Sequence, residues 1–471
     1  MRHMETALKL LRVRLRDNII EFPPSKGFGS NQVHILTGSN GVGKSATLRL
    51  LAEFFGNDNA KELQPADIQW KEDNELYYSD LRACQKPIRT IAQTYSPFTR
   101  FSRPKEDKNS IFDTYAWETR KEDPYICAGL HRSSRLSGLS ISRRILEQAL
   151  ERISHSAKNV EIAAEFFSEA GFGSLLQLKY KPSSFFKPFL ENRDLFTIFH
   201  KTIEKTQHIP TRAGAKLRRE FEKNGISNVI EILATATNQI SSLYDNEDQL
   251  YFSFDFSNRR TNDFSTFQSL TLLRELDLLR LTECQISRHE GSRGLDIAHA
   301  SSGQQQLLCS ILSLASALKD NSLVLIDEPE LSLHPRWQQL YFQFISSILH
   351  PFRDCQVVIA THSPLLVQSG MNSGAAVIKM DSELFEFGPT LEETSVESAL
   401  IEIFNTPIQD SKQLASFVFE AVAKGERSDG HKKSLYLTRL KELRKIYSRD
   451  NGGQDQDRKT IDTAIKVLTM S

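Results

Sequence analysis

An eight-residue segment near the N-terminus, Gly38–Ser45 with the sequence GSNGVGKS, fits the pattern G-x-x-x-x-G-K-[ST] at every fixed position. In such a loop the glycines let backbone N–H groups close around a phosphate. The lysine reaches the β- and γ-phosphates, and the hydroxyl binds Mg²⁺. The pattern therefore predicts a site for ATP and Mg²⁺. The residues expected to contact the nucleotide are Gly38, Asn40, Gly41, Gly43, Lys44, Ser45 and Ala46.

The elements around this phosphate loop agree with the motif. Val33–Thr37 is an apolar, β-branched run that predicts a buried strand. Ala46–Phe55 has the pattern of an amphipathic helix, and Gly56 ends it. Strand, glycine loop and helix are the order that a phosphate-binding loop requires.

A pair of carboxylates follows a second predicted strand, Ser322–Ile326. Ligands of open α/β sheets bind at the carboxyl ends of the strands, where Asp327 and Glu328 would lie. We expect Asp327 to hold Mg²⁺, directly or through water, together with Ser45. Glu328 is the candidate general base, because it would lie within reach of the attacking water.

A third strand, predicted within Val357–Ala360, is followed by Thr361-His362-Ser363-Pro364. A helix predicted at Pro335–Leu349 separates it from the carboxylate pair. We expect His362 to hydrogen-bond the γ-phosphate or to orient the water. The candidate catalytic residues are therefore Lys44, Glu328 and His362.

A fourth segment, Ala300–Gln306 with the sequence ASSGQQQ, precedes a helix predicted over Leu307–Leu318. Small polar residues at a helix N-terminus form an anion site, although the same residues also serve as ordinary helix caps. The phosphate loop already has its own lysine, so this segment fits a γ-phosphate bound to a second subunit. The residues expected at that contact are Ser301, Ser302, Gly303 and Gln304.

The motifs in this order resemble the ABC-type ATPase heads, including those of the RecF, SMC and OLD families. The resemblance implies an α/β fold, with a mixed or parallel sheet flanked by helices. It also implies a dimer that encloses ATP. It implies that Glu330–His334 is the D-loop linking the two sites. It also suggests Gln93 as a ligand of Mg²⁺ or of the nucleotide, although Gln93 is equally explained as a polar residue on a strand. Ala300 and Ser302 stand where transporters of this class have Leu and Gly, which favours the OLD-like branch.

The composition places few limits on the partners. The 471 residues carry 59 basic and 59 acidic side chains, so net charge indicates neither nucleic acid nor a membrane surface. The five cysteines lie far apart, without metal-ligand spacing. We find no bilayer-spanning apolar run and no signal-peptide core, so a cytoplasmic protein is expected.

We divide the chain at residues 1–130 and 271–405 for the two parts of the ATPase head, 131–270 for a mostly helical insert, and 406–471 for a short helical tail. No sustained heptad pattern predicts a long arm. The insert contains basic pairs at Arg143-Arg144, Arg218-Arg219 and Arg259-Arg260, with Arg212 and Lys216 nearby. These residues could contact DNA or RNA, or they could lie on a solvated helix face. The other elements predicted in the insert are helices at Arg143–Arg152, Ala157–Ala170 and Phe264–Leu281, and strands at Leu175–Tyr180 and Tyr251–Phe256.

The tail shows no second catalytic site. Asp455–Asp457 (DQD) is predicted to be a turn, and Lys432–Tyr447 a packing or partner helix. A chain with a complete ATPase and no nuclease resembles the PtuA family of the Septu and retron-Septu antiphage systems, with the PARIS ATPase as a near relative. That resemblance implies a homodimer or higher even oligomer and a separately encoded nuclease, of HNH type or alternatively TOPRIM type. A RecF-like DNA-repair ATPase and a slow nucleotide-gated scaffold remain alternatives.

Overall fold

The computed structural model of the chain describes residues 9–15, 18–56, 68–72, 75–78, 87, 89–96, 101–102, 124–129, 138–154, 157–191, 212–245, 247–257, 261–287, 294–381, 395–425, 430–448 and 455–470. Cys84 and the pair Arg259-Arg260 lie outside these residues, as do the side chains of Arg144 and Arg212.

The secondary structure follows the predicted α/β pattern. The strands are β1 (Lys9–Leu15), β2 (Asn18–Glu21), β3 (Gln32–Thr37), β4 (Ile68–Glu72), β5 (Glu75–Tyr78), β6 (Arg89–Thr94), β7 (Tyr125–Cys127), β8 (Leu175–Pro182), β9 (Leu250–Asp255), β10 (Leu279–Ile286), β11 (Leu295–Asp296), β12 (Ser322–Asp327), β13 (Gln356–Ala360) and β14 (Ala376–Lys379). The α-helices are Lys44–Gly56, Gly138–Ser154, Ala157–Glu169, Lys187–Glu191, Arg212–Asn224, Ile226–Ile240, Thr261–Glu275, Ser302–Ala317, Pro335–Leu349, Pro364–Asn372, Val396–Ser398, Lys412–Gly425, Gly430–Tyr447 and Asp455–Met470.

The central sheet contains six strands in the order β14-β3-β13-β12-β6-β7. Each neighbouring pair is parallel. Alternate residues of these strands enter two hydrophobic clusters: Ile326 and Ile359 lie in one, and Leu325 and Val358 in the other. Both faces are therefore covered, as a parallel sheet requires. This arrangement confirms the predicted fold class and brings the carboxyl ends of β3, β12 and β13 to one edge.

Two four-stranded sheets accompany the central one, with the orders β2-β1-β4-β5 and β11-β10-β8-β9. The described pairings in both are antiparallel. The second sheet contains the strands predicted at Leu175–Tyr180 and Tyr251–Phe256. It also contains β10, which the sequence analysis did not predict.

The helix predicted over Phe264–Leu281 is wrong at its C-terminal end. The helix ends at Glu275, and Asp277 has a φ angle of 59°. The Leu278 N–H then donates to the Leu273 carbonyl at 2.9 Å. This left-handed cap stops the helix, and the alternation of the following residues suits a strand. A continuous apolar pattern concealed this change, because aspartate is a weaker stop signal than glycine.

The helical insert packs directly against the head. Side chains of Gly138–Ser154 and Ala157–Glu169 share one hydrophobic cluster with those of Ser302–Ala317. The Asn159 side chain also donates to the Ser316 carbonyl at 3.2 Å. The insert therefore supports the Ser302–Ala317 helix. The predicted domain boundaries at residues 130, 270 and 405 stay predictions.

The tail has a hydrophobic core of its own, formed by the helices Lys412–Gly425, Gly430–Tyr447 and Asp455–Met470. The helix predicted over Lys432–Tyr447 spans Gly430–Tyr447, and it packs in this core through Leu440, Leu443 and Tyr447, which are buried. The predicted turn at Asp455–Asp457 is wrong: these residues begin a helix. Acidic residues are favourable at a helix N-terminus, which explains the sequence without a turn.

Within the described residues, no helix combines the length and apolar character needed to cross a bilayer.

A buried ion pair joins the insert to the chain that returns to the head. Glu147 is 1% exposed, its Oε2 lies 2.8 Å from Arg274 Nε, and its Oε1 accepts a hydrogen bond from Tyr180 at 3.0 Å. Glu147→Ala leaves the buried Tyr180 hydroxyl without its acceptor, while Arg274 keeps its ion pair with Glu275. We therefore expect a loss of about 1–3 kcal/mol in the free energy of unfolding. Urea unfolding measures it.

Glu53→Ala is the control, since Glu53 belongs to a partly exposed i,i+4 pair with Arg49. It should cost about 0.3–0.5 kcal/mol. Equal losses from the two substitutions would contradict the importance of the buried pair.

Candidate nucleotide-binding site

The phosphate loop connects β3 to the helix Lys44–Gly56, as predicted. Gly38, Gly41 and Gly43 have φ angles of 143°, 87° and 110°. Residues other than glycine rarely adopt such values. The Lys44 ammonium donates to two carbonyl oxygens at the start of the loop, at 2.8 and 3.0 Å. The lysine is therefore held across the loop by the loop's own backbone.

The other loop residues differ in exposure. Asn40 and Gly41 are exposed, and Ala46 is partly buried in the first helical turn. These positions suit the predicted contacts with a nucleotide. The individual contacts stay predictions.

The candidate metal ligands meet at the carboxyl end of β12. Ser45 Oγ donates to Asp327 Oδ1 at 2.9 Å, although 282 residues separate the two in sequence. Asp327 is the last residue of its strand and is 5% exposed. A hydroxyl and a carboxylate are oxygen ligands of the kind that Mg²⁺ prefers. The donor set therefore fits the predicted metal, and these two residues would hold it.

Glu328 and His362 follow adjacent strands. Glu328 has a φ angle of 50°, and its N–H donates to the Ala360 carbonyl at 2.9 Å. Burial lowers the pKa of His362; the Lys44 ammonium lowers it further, and the Glu328 carboxylate opposes the shift. Lys44, Glu328 and His362 follow the carboxyl ends of three neighbouring parallel strands, β3, β12 and β13, and therefore lie at one edge of the sheet. The lowered pKa favours a neutral imidazole at neutral pH, with one ring N–H available to donate.

Lys44 lies in the field of several carboxylates. Burial lowers the pKa of its ammonium, and the surrounding negative charges oppose that shift. An ammonium in such a field suits an anionic ligand that brings its own cation, as a nucleotide with Mg²⁺ does. The carboxylates, in order of influence, belong to Asp381, Glu328, Asp327 and Glu330.

The ASSGQQQ segment forms a helix cap. Ser301 Oγ accepts from the Gln304 N–H at 3.3 Å, and the Gln304 side chain accepts from the Ser301 N–H at 3.1 Å. Ser301 and Ser302 are exposed. No hydrogen bond joins this segment to the phosphate loop within the described part of the chain. In the single chain these residues therefore serve as a helix cap. Their contact with a second subunit stays a prediction.

Gly303 of the same segment is packed against the loop after β12. A Cβ at this position would lie 2.6 Å from the Ser332 carbonyl oxygen. A glycine is therefore needed for close packing between the Ser302–Ala317 helix and residues of the predicted D-loop.

The structure does not bring Gln93 to the phosphate loop. Gln93 is 1% exposed, its Nε2 donates to the Ser310 carbonyl at 2.8 Å, and its Oε1 accepts from Ser310 Oγ at 2.9 Å. Its neighbour along β6, Thr94, pairs with Asp327. Successive side chains of a strand point to opposite faces, so Gln93 faces the Ser302–Ala317 helix instead of the phosphate-loop helix. This placement favours the alternative of a polar residue on a strand.

Asp381 is a residue of this site that was not predicted from the sequence. Its Oδ2 accepts a hydrogen bond from the Ser39 N–H at 2.8 Å, so it braces the start of the phosphate loop. The residue follows β14, which lies next to β3 in the sheet. A single aspartate far along the chain has no local pattern that could have indicated this contact.

Glu330 also differs from expectation, because its side chain turns inward. Its Oε1 accepts from the His362 backbone N–H at 2.7 Å. This contact lies within one chain, and the assignment of Glu330–His334 to a loop that links two subunits stays a prediction.

Substitutions at Ser45 and Gln93 should separate metal binding from packing. Ser45→Ala removes a metal-facing oxygen, so we expect Mg²⁺ to strengthen nucleotide binding less than in the unmutated chain. Gln93→Leu removes both hydrogen bonds between Gln93 and Ser310 and should cost about 1–3 kcal/mol of unfolding free energy. Nucleotide affinity should stay within about twofold, since Gln93 faces away from the loop. Titration of a fluorescent ATP analogue with and without Mg²⁺, beside urea unfolding, measures both. A lost Mg²⁺ response in Gln93→Leu would restore Gln93 as a ligand.

Comparison with known proteins agrees with this geometry. "Protein ea59" of Escherichia phage lambda is 26% identical over 206 residues, which cover 39% of this chain and 39% of the phage protein. "Retron Vc95 probable ATPase" of Vibrio cholerae serotype O1 biovar El Tor is 28% identical over 127 residues, covering 26% of this chain and 24% of the retron protein. The chain thus matches less than half the length of each relative.

A family described as "AAA domain, putative AbiEii toxin, Type IV TA system" matches residues 33–368. The matched region begins in β3 and includes the phosphate loop, the carboxylates after β12 and His362. Because the match covers well over half of the sequence, the chain belongs to this family of AAA domains.

Proposed function

We propose that the chain is an ABC-type ATPase that binds ATP with Mg²⁺ and hydrolyses it. The observation that carries this proposal is the hydrogen bond between Ser45 and Asp327, with Lys44, Glu328 and His362 around the same space. Membership of an AAA-domain family supports nucleotide binding. The ATPase named among the relatives supports hydrolysis.

Each side chain has a distinct task in this proposal. Lys44 binds the β- and γ-phosphate oxygens, and Ser45 and Asp327 hold the metal. Mg²⁺ bound there neutralises charge that develops on the phosphates. Glu328 accepts a proton from the attacking water, and neutral His362 donates its ring N–H to the terminal phosphate.

We further propose that two heads close around ATP, with Ser301, Ser302, Gly303 and Gln304 contacting the nucleotide of the opposite subunit. Support comes from the exposure of the two serines at the N-terminus of a 16-residue helix. The capping box engages the N–H groups of Ser301 and Gln304. The positive end of the helix dipole still lies at this terminus. It would favour the binding of a γ-phosphate from another subunit.

The biological role that we propose is antiphage defence with a separately encoded effector nuclease, as in the PtuA-type systems. The support is the similarity to a protein named as a retron ATPase. An HNH nuclease is the favoured partner and a TOPRIM nuclease the alternative. Two nucleotide sites require an even number of heads.

Glu328→Gln should separate binding from hydrolysis. The amide keeps the shape of the side chain but cannot act as the base, so we expect kcat to fall by about 10²–10⁴-fold while ATP affinity changes little. ATP should also hold this variant as a closed dimer, visible as a doubled mass in light scattering. Lys44→Ala is the comparison and should abolish nucleotide binding. Unchanged turnover in Glu328→Gln would refute the assigned base.

The dimer part has its own control within the same experiment. Adding Ser302→Glu to Glu328→Gln places a carboxylate where a phosphate should bind, so the doubled mass should disappear. Ser253→Glu, at an exposed position of β9, changes the same residue type away from the site and should leave the mass doubled.

The partner is tested by co-expressing the tagged chain with the products of its neighbouring genes. We expect a nuclease to co-purify in a defined complex, and mass determination with and without ATP gives its stoichiometry. A chain that returns alone and dimerises only with ATP would favour a RecF-like DNA-repair ATPase. Salt-dependent binding to DNA would then be the next measurement.

A further inference from the structure

Glu330 carries a buried carboxyl group between the loop after β12 and the segment after β13. Its Oε1 accepts from the His362 N–H at 2.7 Å. Its Oε2 is buried and makes no hydrogen bond of standard geometry among the described residues. The Thr361 side chain also interacts with the carboxyl group and opposes the effect of burial on its pKa. The hydrogen bond from His362 is therefore the one specific, well-aligned contact recorded for this carboxyl group among the described residues.

This arrangement is costly for stability. Burial raises the pKa of Glu330, and the hydrogen bond from the His362 backbone opposes the shift. A buried polar atom without a partner costs about 1–3 kcal/mol. An apolar side chain of similar volume would avoid this cost. Expensive buried groups in native proteins are concentrated at functional sites, where geometry matters more than stability.

The contact joins two segments that each carry a residue of the proposed chemistry. Glu330 lies two residues after Glu328, on a loop fixed from behind by the hydrogen bond from Gln306 Nε2 to the Pro329 carbonyl at 2.8 Å. The other segment contains His362. Glu330 thus fixes the backbone of His362 relative to a loop that is itself held against the Ser302–Ala317 helix.

We propose that Glu330 is a positioning residue for His362. By accepting the His362 N–H, it fixes the segment so that the ring faces the position of a terminal phosphate. The inference rests on the proposed binding of ATP at this site. It assigns Glu330 a task different from that of Glu328, because Glu330 acts through a neighbour and transfers no proton.

The chemistry of the contact defines which side chains can replace Glu330. Only a hydrogen-bond acceptor is needed, and the amide oxygen of glutamine supplies one. Methionine fills a similar volume but cannot accept this bond with comparable strength. Glu330→Gln should therefore preserve the function, whereas Glu330→Met should lose it while remaining folded.

The test compares equilibrium affinities for the non-hydrolysable analogue AMP-PNP and for ADP, both with Mg²⁺. His362 is proposed to contact only the terminal phosphate, so its displacement should weaken AMP-PNP binding alone. In Glu330→Met we expect the AMP-PNP dissociation constant to rise about tenfold, with that for ADP within about twofold. In Glu330→Gln both should stay within about twofold of the unmutated chain.

Glu220→Met is the matched control. Glu220 is also 1% exposed, lies in the helix Arg212–Asn224, and accepts from Asn224 Nδ2 at 3.2 Å. The same chemical change there should leave the ratio of the two affinities unaltered, even if the melting temperature falls. An unaltered ratio in Glu330→Met would overturn the inference, as would an unmutated chain that does not distinguish AMP-PNP from ADP.

Turnover provides a second readout. Glu330→Gln should hydrolyse ATP at a rate close to that of the unmutated chain, in contrast to Glu328→Gln. A Glu330→Gln variant as inactive as Glu328→Gln would overturn the positioning role, since a charged carboxylate would then be essential. An unmutated chain that binds AMP-PNP but never hydrolyses ATP would refute the proposed enzyme, while the affinity ratios would still decide the role of Glu330.

Discussion

The hydrogen bond between Ser45 and Asp327 is the contact on which the candidate site depends. It joins the phosphate loop to the end of β12, across a sequence separation of 282 residues. The parallel sheet makes it possible, because β13 pairs with both β3 and β12 and brings their carboxyl ends to one edge. A slip of the strand register would move these ends apart and separate the metal-facing oxygens. The alignment of the buried apolar strands therefore determines where the residues of the site lie.

The electrostatics of the site follow from this convergence. Burial lowers the pKa of Lys44, and the carboxylates around it oppose that shift. The pKa of His362 is lowered by burial and by the Lys44 ammonium, against the opposing effect of the Glu328 carboxylate. The result is a cationic lysine and a neutral imidazole close together. Such a combination suits an anion that must be bound strongly at one end and through a neutral donor at the other.

The Ser302–Ala317 helix connects the site to the rest of the molecule. Its N-terminus is capped by Ser301 and Gln304, and Gly303 packs against the Ser332 backbone. Further along, Gln306 holds the Pro329 carbonyl and Ser310 binds Gln93. The insert packs on the same helix. A shift of the exposed end of this helix would therefore displace the loop that carries Glu328 and Glu330, because the helix contacts that loop directly.

The sequence by itself determined the elements whose signals are local. The glycine loop and the apolar runs of β3, β12 and β13 were predicted correctly, and the helix Pro335–Leu349 was predicted to the residue. These depend on periodicity, turn chemistry and strand ends, which neighbouring residues encode. The start of β10 was missed because Asp277 gives only a weak local signal.

Only the tertiary structure decided which polar side chains enter the site. Gln93 was excluded because the pleat of β6 turns it toward Ser310. Asp381 was brought to the phosphate loop because β14 pairs with β3. Glu330 was turned inward onto His362. Each outcome depends on strand order, side-chain direction or packing between distant segments, and no local pattern of residues encodes these.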